Sequence, residues 1–134
     1  MADNSGLGRA KLVAFIPATD PVQARAFYEG VLGLHLNSDE APFALVFDAN
    51  GTMLRVTTVQ EHRPAPFTVL GWDVSGIEAL VERLAAAGVE FLRFPGMNDT
   101  DPRGIWKAPS GARVAWFKDP DGNVLSLTEF PGGS

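Results

Sequence analysis

The stretch Leu12-Val-Ala-Phe-Ile-Pro-Ala-Thr-Asp-Pro21 decides the fold, because its pattern returns at Thr68-Val-Leu-Gly-Trp-Asp-Val-Ser75. In each copy a short apolar run leads into a polar residue that can start a helix, Asp20 in the first copy and Ser75 in the second. These two residues lie 55 positions apart (75 − 20). One repeat of this length predicts a duplicated half-domain rather than a solenoid, whose repeats are shorter and more numerous.

The helix predicted in each copy has a start signal and a stop signal. Asp20 can accept hydrogen bonds from the first free backbone N–H groups of its helix, and Ser75 with Glu78 has the spacing of a capping box. The helical patterns end at Gly33 and Gly88, which are again 55 positions apart (88 − 33). Glycine is typical of this position because the chain there adopts a left-handed conformation.

Strands are predicted around two turns and after the second helix. Asn50-Gly51 is a strong signal for a two-residue hairpin, and Asp119-Pro-Asp-Gly122 has the chemistry of a turn. The predicted strands cover residues 43–48, 52–59, 89–94, 112–118 and 123–130.

The resulting order is β-α-β-β-β, read twice, which predicts an α+β fold of two tandem βαβββ modules that form a curved mixed sheet. The modules are expected at residues 11–60 and 67–130 of a single domain, residues 11–130. Disordered tails are expected at residues 1–10 and 131–134, which are small, polar and rich in glycine.

Composition narrows the function classes. The chain has 134 residues, no cysteine and a net charge of −5, so we expect no disulfide, no thiolate site and no nucleic-acid partner. No apolar run approaches the length of about 20 residues that a membrane span needs. These features favour a cytoplasmic protein that does not contact membranes.

Four segments carry a resemblance to a known family. The chain resembles the vicinal oxygen chelate superfamily, which includes glyoxalase I, bleomycin-resistance proteins and extradiol dioxygenases. The resemblance covers about residues 12–130 and implies a glyoxalase-like fold, a homodimer and ligand sites in the hollows of the sheets. The segments are Val13-Ala-Phe-Ile-Pro-Ala-Thr-Asp20, Phe27-Tyr-Glu-Gly-Val-Leu-Gly33, Glu82-Arg-Leu-Ala-Ala-Ala-Gly-Val-Glu90 and Phe117-Lys-Asp-Pro-Asp-Gly-Asn123.

The resemblance also implies four positions at which the metal enzymes of the superfamily hold a divalent ion with His, Gln or Glu. In this chain the positions carry Val13, Arg55, Val69 and Ser126. Aliphatic side chains offer no donor atom, and an arginine repels a cation. We therefore expect no metal ligands at these positions and no cofactor.

Alternation along the strands predicts a hollow with an apolar floor and a few polar groups. Arg55 is expected either to bind an anionic or carbonyl group of a ligand or to pair with Asp73, and the sequence leaves both open. Trp106 lies in a long polar loop and is a candidate for a lid or stacking residue. The register of residues 112–118 is open, so one of Trp116 and Phe117 faces the hollow and the other faces the helices. The candidate ligand-binding residues are Phe15, Met53, Arg55, Asp73, Trp106, Phe117, Ser126 and Thr128.

Two function classes remain open. The first is a metal-free protein of the bleomycin-resistance type that binds or sequesters an aromatic or amphipathic small molecule. The alternative is a glyoxalase-like lyase, isomerase or dioxygenase that uses non-standard residues or recruited metal ligands. The sequence indicates no nucleophile–base pair, so catalytic residues are not assigned.

Overall fold

The computed structural model describes residues 6–132 and contains two four-stranded sheets, one from each half of the chain. The first sheet has the order β1-β4-β3-β2, with β1 at Val13–Ala18, β2 at His35–Glu40, β3 at Ala44–Ala49 and β4 at Thr52–Thr58. The second has the order β5-β8-β7-β6, with β5 at Thr68–Asp73, β6 at Trp106–Lys107, β7 at Arg113–Lys118 and β8 at Val124–Glu129.

Both sheets have the same mixed topology, in which the first strand runs parallel to the last and the other neighbours are antiparallel. The predicted α+β fold of two tandem βαβββ modules is confirmed. Each module builds its own four-stranded sheet. The tails predicted at residues 1–10 and 131–134 lie partly outside the described residues, and within the described part Leu7–Arg9 form one 3₁₀ turn.

The first helix begins as the sequence predicts. It consists of α1, Pro21–Arg25, which continues as a π-helical segment at Ala26–Val31. The Asp20 carboxylate accepts a hydrogen bond from the backbone N–H of Val22 at 2.9 Å, which satisfies one of the free donors of the first turn.

The second helix, α2, spans Ile77–Ala86 and begins differently from the prediction. The expected cap at Ser75 is wrong, because Gly76 is the N-cap residue, with a left-handed φ of 64°. The cap is supplied by Glu129 of β8, whose Oε2 accepts from the N–H of Gly76 at 2.6 Å and of Ile77 at 3.4 Å. A carboxylate from a neighbouring strand therefore stabilises the positive end of this helix.

The strand predictions are right at the hairpins and wrong at residues 89–94. Asn50 and Gly51 both have positive φ, as a two-residue hairpin turn requires. In the 89–94 segment only Phe91 forms a bridge, to Phe117, and pairing cannot extend far because Pro95 has no N–H to donate. No predicted segment corresponds to β2, whose mostly exposed polar residues lack apolar alternation.

One hydrophobic core joins the two modules. Phe27 of the first module contacts Phe117 of the second, with ring centroids 6.3 Å apart. Buried residues of both sheets and of α2 belong to the same cluster. Each sheet therefore has one face against the core and one face directed away from it, which we call its open face.

A buried polar cluster, formed by Tyr28, Asp119 and Asn123, also joins the modules. The Tyr28 hydroxyl donates to Asp119 Oδ2 at 2.7 Å, and Asn123 Nδ2 donates to the same oxygen at 2.8 Å. Asn123 Nδ2 also donates to the Pro17 carbonyl at 3.0 Å, and His62 Nε2 lies 2.7 Å from Asn123 Oδ1. The Asp119-Pro-Asp-Gly122 turn is thus both a hairpin turn and a contact between modules.

The buried Tyr28 phenol should make the stability of the protein depend on pH in the alkaline range. Burial raises its pKa above the ordinary value of 10.0, and the Asp119 carboxylate raises it further. The unfolded chain releases this proton near pH 10 while the folded chain retains it, so stability should fall as the pH rises above about 10.

Tyr28 is the single tyrosine of the chain, so tyrosinate absorbance reports it alone. We expect no tyrosinate signal from the folded protein at about pH 10, where a urea-unfolded sample is half ionised. Tyr28→Phe should remove the alkaline loss of stability. A folded protein that titrates near pH 10 would contradict the buried contact with Asp119.

Candidate functional site

The open face of the first sheet carries an exposed apolar strip. Val13 and Phe15 of β1 lie beside Met53 and Arg55 of β4 in the parallel register. Their exposed fractions are large for apolar side chains: 42% for Val13, 66% for Phe15 and 39% for Met53. The structure therefore brings together the three predicted site residues of this sheet, Phe15, Met53 and Arg55.

Arg55 has a partner within its own sheet. Its Nη2 lies 3.1 Å from Oε1 of Glu40, the last residue of β2. The structure thus pairs Arg55 with Glu40 rather than with Asp73, the partner that the sequence suggested. Both side chains remain partly exposed, so this ion pair contributes little to stability, about 0–1 kcal/mol.

The open face of the second sheet is defined by its register. Gly71 lies opposite Ser126, and Ser126 lies opposite Trp116. Asp73, Thr128 and Val114 form the next row of the same face, and Trp106 of β6 pairs with Val114. Three predicted site residues on neighbouring strands, Asp73, Ser126 and Thr128, therefore share this face with Trp106.

The expected placement of Phe117 on this face is wrong. Phe117 has no exposed surface and belongs to the core, where it contacts Phe27 and Phe91. Lys118 pairs with Val124 across the hairpin turn, and counting back from that pair places Trp116 opposite Ser126. The position of the hairpin turn therefore sets the register that puts Trp116, and not Phe117, on the open face.

Three aromatic side chains form a cluster on the open face of the second sheet, and we call it the aromatic cluster. Trp116 contacts Phe94 edge to face, with centroids 5.2 Å apart, and contacts Trp106 at 5.8 Å with the rings inclined by 35°. Both tryptophans are only partly buried, and 37% of Phe94 is exposed. Such rings present flat apolar area together with indole N–H donors.

Two surface depressions border the aromatic cluster. One of about 530 Å³ is lined by Trp106, by Gly96, Asn98 and Asp99 of the preceding loop, and by residues 107–109. Another of about 420 Å³ is lined by Phe94, Lys118, Val124 and the linker residues 64–66. Each has the volume of a small-molecule site.

The loop that precedes Trp106 is held by polar contacts, which does not fit a mobile lid. The Asp101 carboxylate accepts from the backbone N–H of Arg103 at 2.8 Å and of Ile105 at 3.1 Å. Arg103 extends to Glu78 of α2 at 2.9 Å, and Ile105 is buried. Trp106 is therefore a residue of a short edge strand with a fixed position beside Trp116.

The same network fixes the far end of the second sheet. Arg113 contacts both Glu129 and Glu78. Its hydrogen bond holds the pKa of Glu129 below the ordinary value, and the N–H of Gly76 lowers that pKa further. Arg113 and Arg103 therefore both pair with carboxylates of the protein itself.

The residues at the four inherited metal positions do not fit a divalent ion. Val13 and Val69 have no donor atom, Arg55 is cationic and paired with Glu40, and Ser126 offers one neutral hydroxyl. Within residues 6–132 no group of three or more His, Asp or Glu side chains is placed to hold a metal.

The sequence matches the model of the Glyoxalase/Bleomycin resistance protein/Dioxygenase superfamily over residues 10–127, and the chain belongs to this superfamily. No curated protein matches the sequence closely enough to suggest a specific activity. Among the helices within residues 6–132, none combines the length and the hydrophobicity that a membrane-spanning helix requires.

Solved structures of the same fold include three bacterial proteins of about 20% identity. A glyoxalase family protein from Enterococcus faecalis superposes with a TM-score of 0.72 at 19% identity, covering 92% of this chain and 100% of that one. Lactoylglutathione lyase from Agrobacterium tumefaciens gives 0.68 at 20% identity, with 90% and 93% covered. A glyoxalase / bleomycin resistance protein from Catenulispora acidiphila gives 0.67 at 21% identity, with 90% and 98% covered. At these identities the likeness concerns the fold alone.

Proposed function

We propose that this protein binds a planar aromatic or amphipathic small molecule on the open face of the second sheet, without a metal ion. The observation that carries the proposal is the aromatic cluster of Phe94, Trp106 and Trp116, partly exposed between two depressions. Partly exposed tryptophan and phenylalanine rings that already pack against one another lose little conformational entropy when a flat ligand stacks on them.

The charges around the site support a binding protein more than an enzyme. Arg103 and Arg113 already pair with carboxylates, and Arg93 donates to the backbone carbonyls of Asp101 and Pro102. A stacked ligand would therefore be held mainly by apolar contact, which does not activate it chemically.

The test is an NMR titration of the three tryptophan indole N–H signals with quinoline and naphthalene as probes. We expect the signals of Trp106 and Trp116 to shift on addition of either probe. Trp72 lies on the core side of β5 and serves as an internal control whose signal should stay in place. A panel of planar probes that moves none of the signals, or moves only Trp72, would contradict the proposal.

We also propose that the protein forms a homodimer. Both β1 and β5 are edge strands, and they carry the exposed apolar residues Val13, Phe15 and Val69. Exposed apolar edge strands are usually covered by another element or another chain, and a second copy offers the same surface.

Light scattering of the parent protein should give about twice the chain mass of 14.3 kDa. Phe15→Glu places a charge in the strip and should shift the particle to the monomer mass, while Phe43→Glu, at an exposed position on the adjoining loop, is the matched control. A parent protein that is monomeric at micromolar concentration would overturn the dimer.

A further inference from the structure

Ser126 is the exception among the buried polar side chains. Within residues 6–132 three polar or charged residues are buried: Asp119, Asn123 and Ser126. Asp119 and Asn123 hydrogen-bond to each other and to Tyr28. Ser126 is only 8% exposed, yet none of the side-chain hydrogen bonds within the described residues includes its hydroxyl.

The position of the hydroxyl is unusual as well. A Cβ atom on Gly71 would lie only 2.5 Å from Ser126 Oγ, so the hydroxyl occupies the space that a side chain at residue 71 would fill. Gly71 itself is exposed. Among the described residues, every side-chain N or O atom that is completely enclosed has a hydrogen-bond partner. Ser126 Oγ has none among them, so it is not completely enclosed and remains accessible from the open face.

The neighbour of Ser126 on this face is the ring at the centre of the aromatic cluster. Ser126 pairs directly with Trp116 across the β7–β8 ladder, and such cross-strand neighbours have Cβ atoms about 4.5–5.5 Å apart. A flat ring stacked on Trp116 therefore brings its edge within reach of the hydroxyl. Gly71 leaves room for that edge, because it has no side chain.

From this arrangement we infer that the ligand is a planar aromatic molecule with a hydrogen-bond acceptor at its edge, and that Ser126 donates to that acceptor. The inference rests on the proposed binding function and adds to it the chemical class of the ligand. A serine hydroxyl has one donor hydrogen and two acceptor lone pairs. Because Oγ remains accessible from the open face, water can accept from this hydroxyl in the free protein. A ligand edge that displaces the water has to replace that hydrogen bond with an acceptor of its own.

Two ligands of equal shape should differ in affinity if only one of them has an acceptor at its edge. Quinoline and naphthalene have the same two fused rings, and they differ in one ring nitrogen that can accept a hydrogen bond. Both can stack on Trp116, but only quinoline can accept from Ser126. The ratio of their affinities therefore measures the Ser126 contact, while stacking contributes to both.

The experiment compares the quinoline-to-naphthalene affinity ratio in the parent protein, Ser126→Ala and Thr52→Val. Ser126→Ala should weaken quinoline about three- to tenfold, the worth of one hydrogen bond, and leave naphthalene unchanged. Thr52→Val removes a hydroxyl from the first sheet, away from the aromatic cluster, and should leave the ratio unchanged. Ser126→Ala should also fold with unchanged stability, because the hydroxyl has no hydrogen-bond partner among residues 6–132 to lose.

A second variant keeps the hydroxyl and displaces it. Gly71→Ala adds a methyl group that cannot coexist with the present position of Ser126 Oγ and that narrows the room for the ring edge, so both probes should bind more weakly, quinoline should lose more, and the quinoline-to-naphthalene ratio should fall. Failure of both probes to bind the parent would contradict the proposed function. If both probes bind and Ser126→Ala leaves their ratio unchanged, or if Thr52→Val lowers the ratio equally, the role of Ser126 is overturned while the proposed function stands.

Discussion

Replacing Asp119 by alanine is expected to lower the free energy of unfolding by about 3–5 kcal/mol. The carboxylate is 6% exposed and accepts hydrogen bonds from the Tyr28 hydroxyl, the Asn123 amide and the backbone N–H groups of Asp121 and Asn123. Alanine would leave these donors without their acceptor in a place that water reaches poorly. Urea unfolding followed by circular dichroism measures the loss.

The neighbouring aspartate is a matched control for this change. Asp121 lies in the same turn, but its carboxylate accepts from the backbone and hydroxyl of Thr19 in an exposed setting. Asp121→Ala should therefore cost only about 0.5–1.5 kcal/mol. Equal losses for the two variants would mean that the turn itself, and not the buried cluster, makes the contribution.

A double-mutant cycle measures the Tyr28–Asp119 hydrogen bond separately from the other hydrogen bonds of Asp119. Tyr28→Phe removes one hydroxyl and should cost about 1–3 kcal/mol alone, since Asp119 keeps its other donors. Added to Asp119→Ala, it should cost much less, because the partner has already gone. Additive effects would indicate that the hydroxyl and the carboxylate do not interact.

The features that the sequence predicts correctly are those decided by neighbouring residues. The Asp20 cap needs an acceptor two residues before a free N–H, and the Asn50-Gly51 hairpin needs two residues that tolerate positive φ. The repeat adds topology to these local signals, because a pattern that occurs twice predicts the same module twice. The two sheets indeed have identical strand orders.

The features that the sequence misses depend on contacts between distant residues. Glu129 caps α2 from 53 positions away and displaces the local candidate Ser75, and no pattern near either residue indicates this. Arg55 similarly pairs with Glu40 on another strand of its sheet. Both outcomes require the register of strands that pack side by side, which is set by the whole core.

The sequence predicts the candidate site only in part. Alternation from the inherited metal position at Ser126 predicts Ser126 and Thr128 on the open face, and the register of β8 places them there. The sequence leaves open whether Phe117 or Trp116 faces the hollow, because a shift of one residue exchanges the two faces of a strand, and the candidate Phe117 is the wrong one of the two. The sequence misses Phe94, because its contact with Trp116 depends on how the segment after α2 packs on the sheet.

Trp116→Ala is expected to weaken the binding of quinoline and of naphthalene by about 30-fold or more, the effect of removing a tryptophan at the centre of a binding site. Trp116 contacts both other rings of the cluster, so its loss removes the stacking surface and the support of Phe94 and Trp106. Trp106→Ala removes one outer ring and should weaken both probes only about two- to twelvefold. Calorimetric titration measures the affinities.

Folding and binding effects must be separated in this comparison. Trp72→Phe is the matched control, because Trp72 packs against the core from the other face of the second sheet. This variant should lose some stability and retain the affinity of the parent, whereas Trp116→Ala should lose affinity at a temperature where circular dichroism shows it folded. Should Trp116→Ala bind both probes as tightly as the parent does, the ligand lies elsewhere and the aromatic cluster serves only to pack Phe94 and β6 against the sheet.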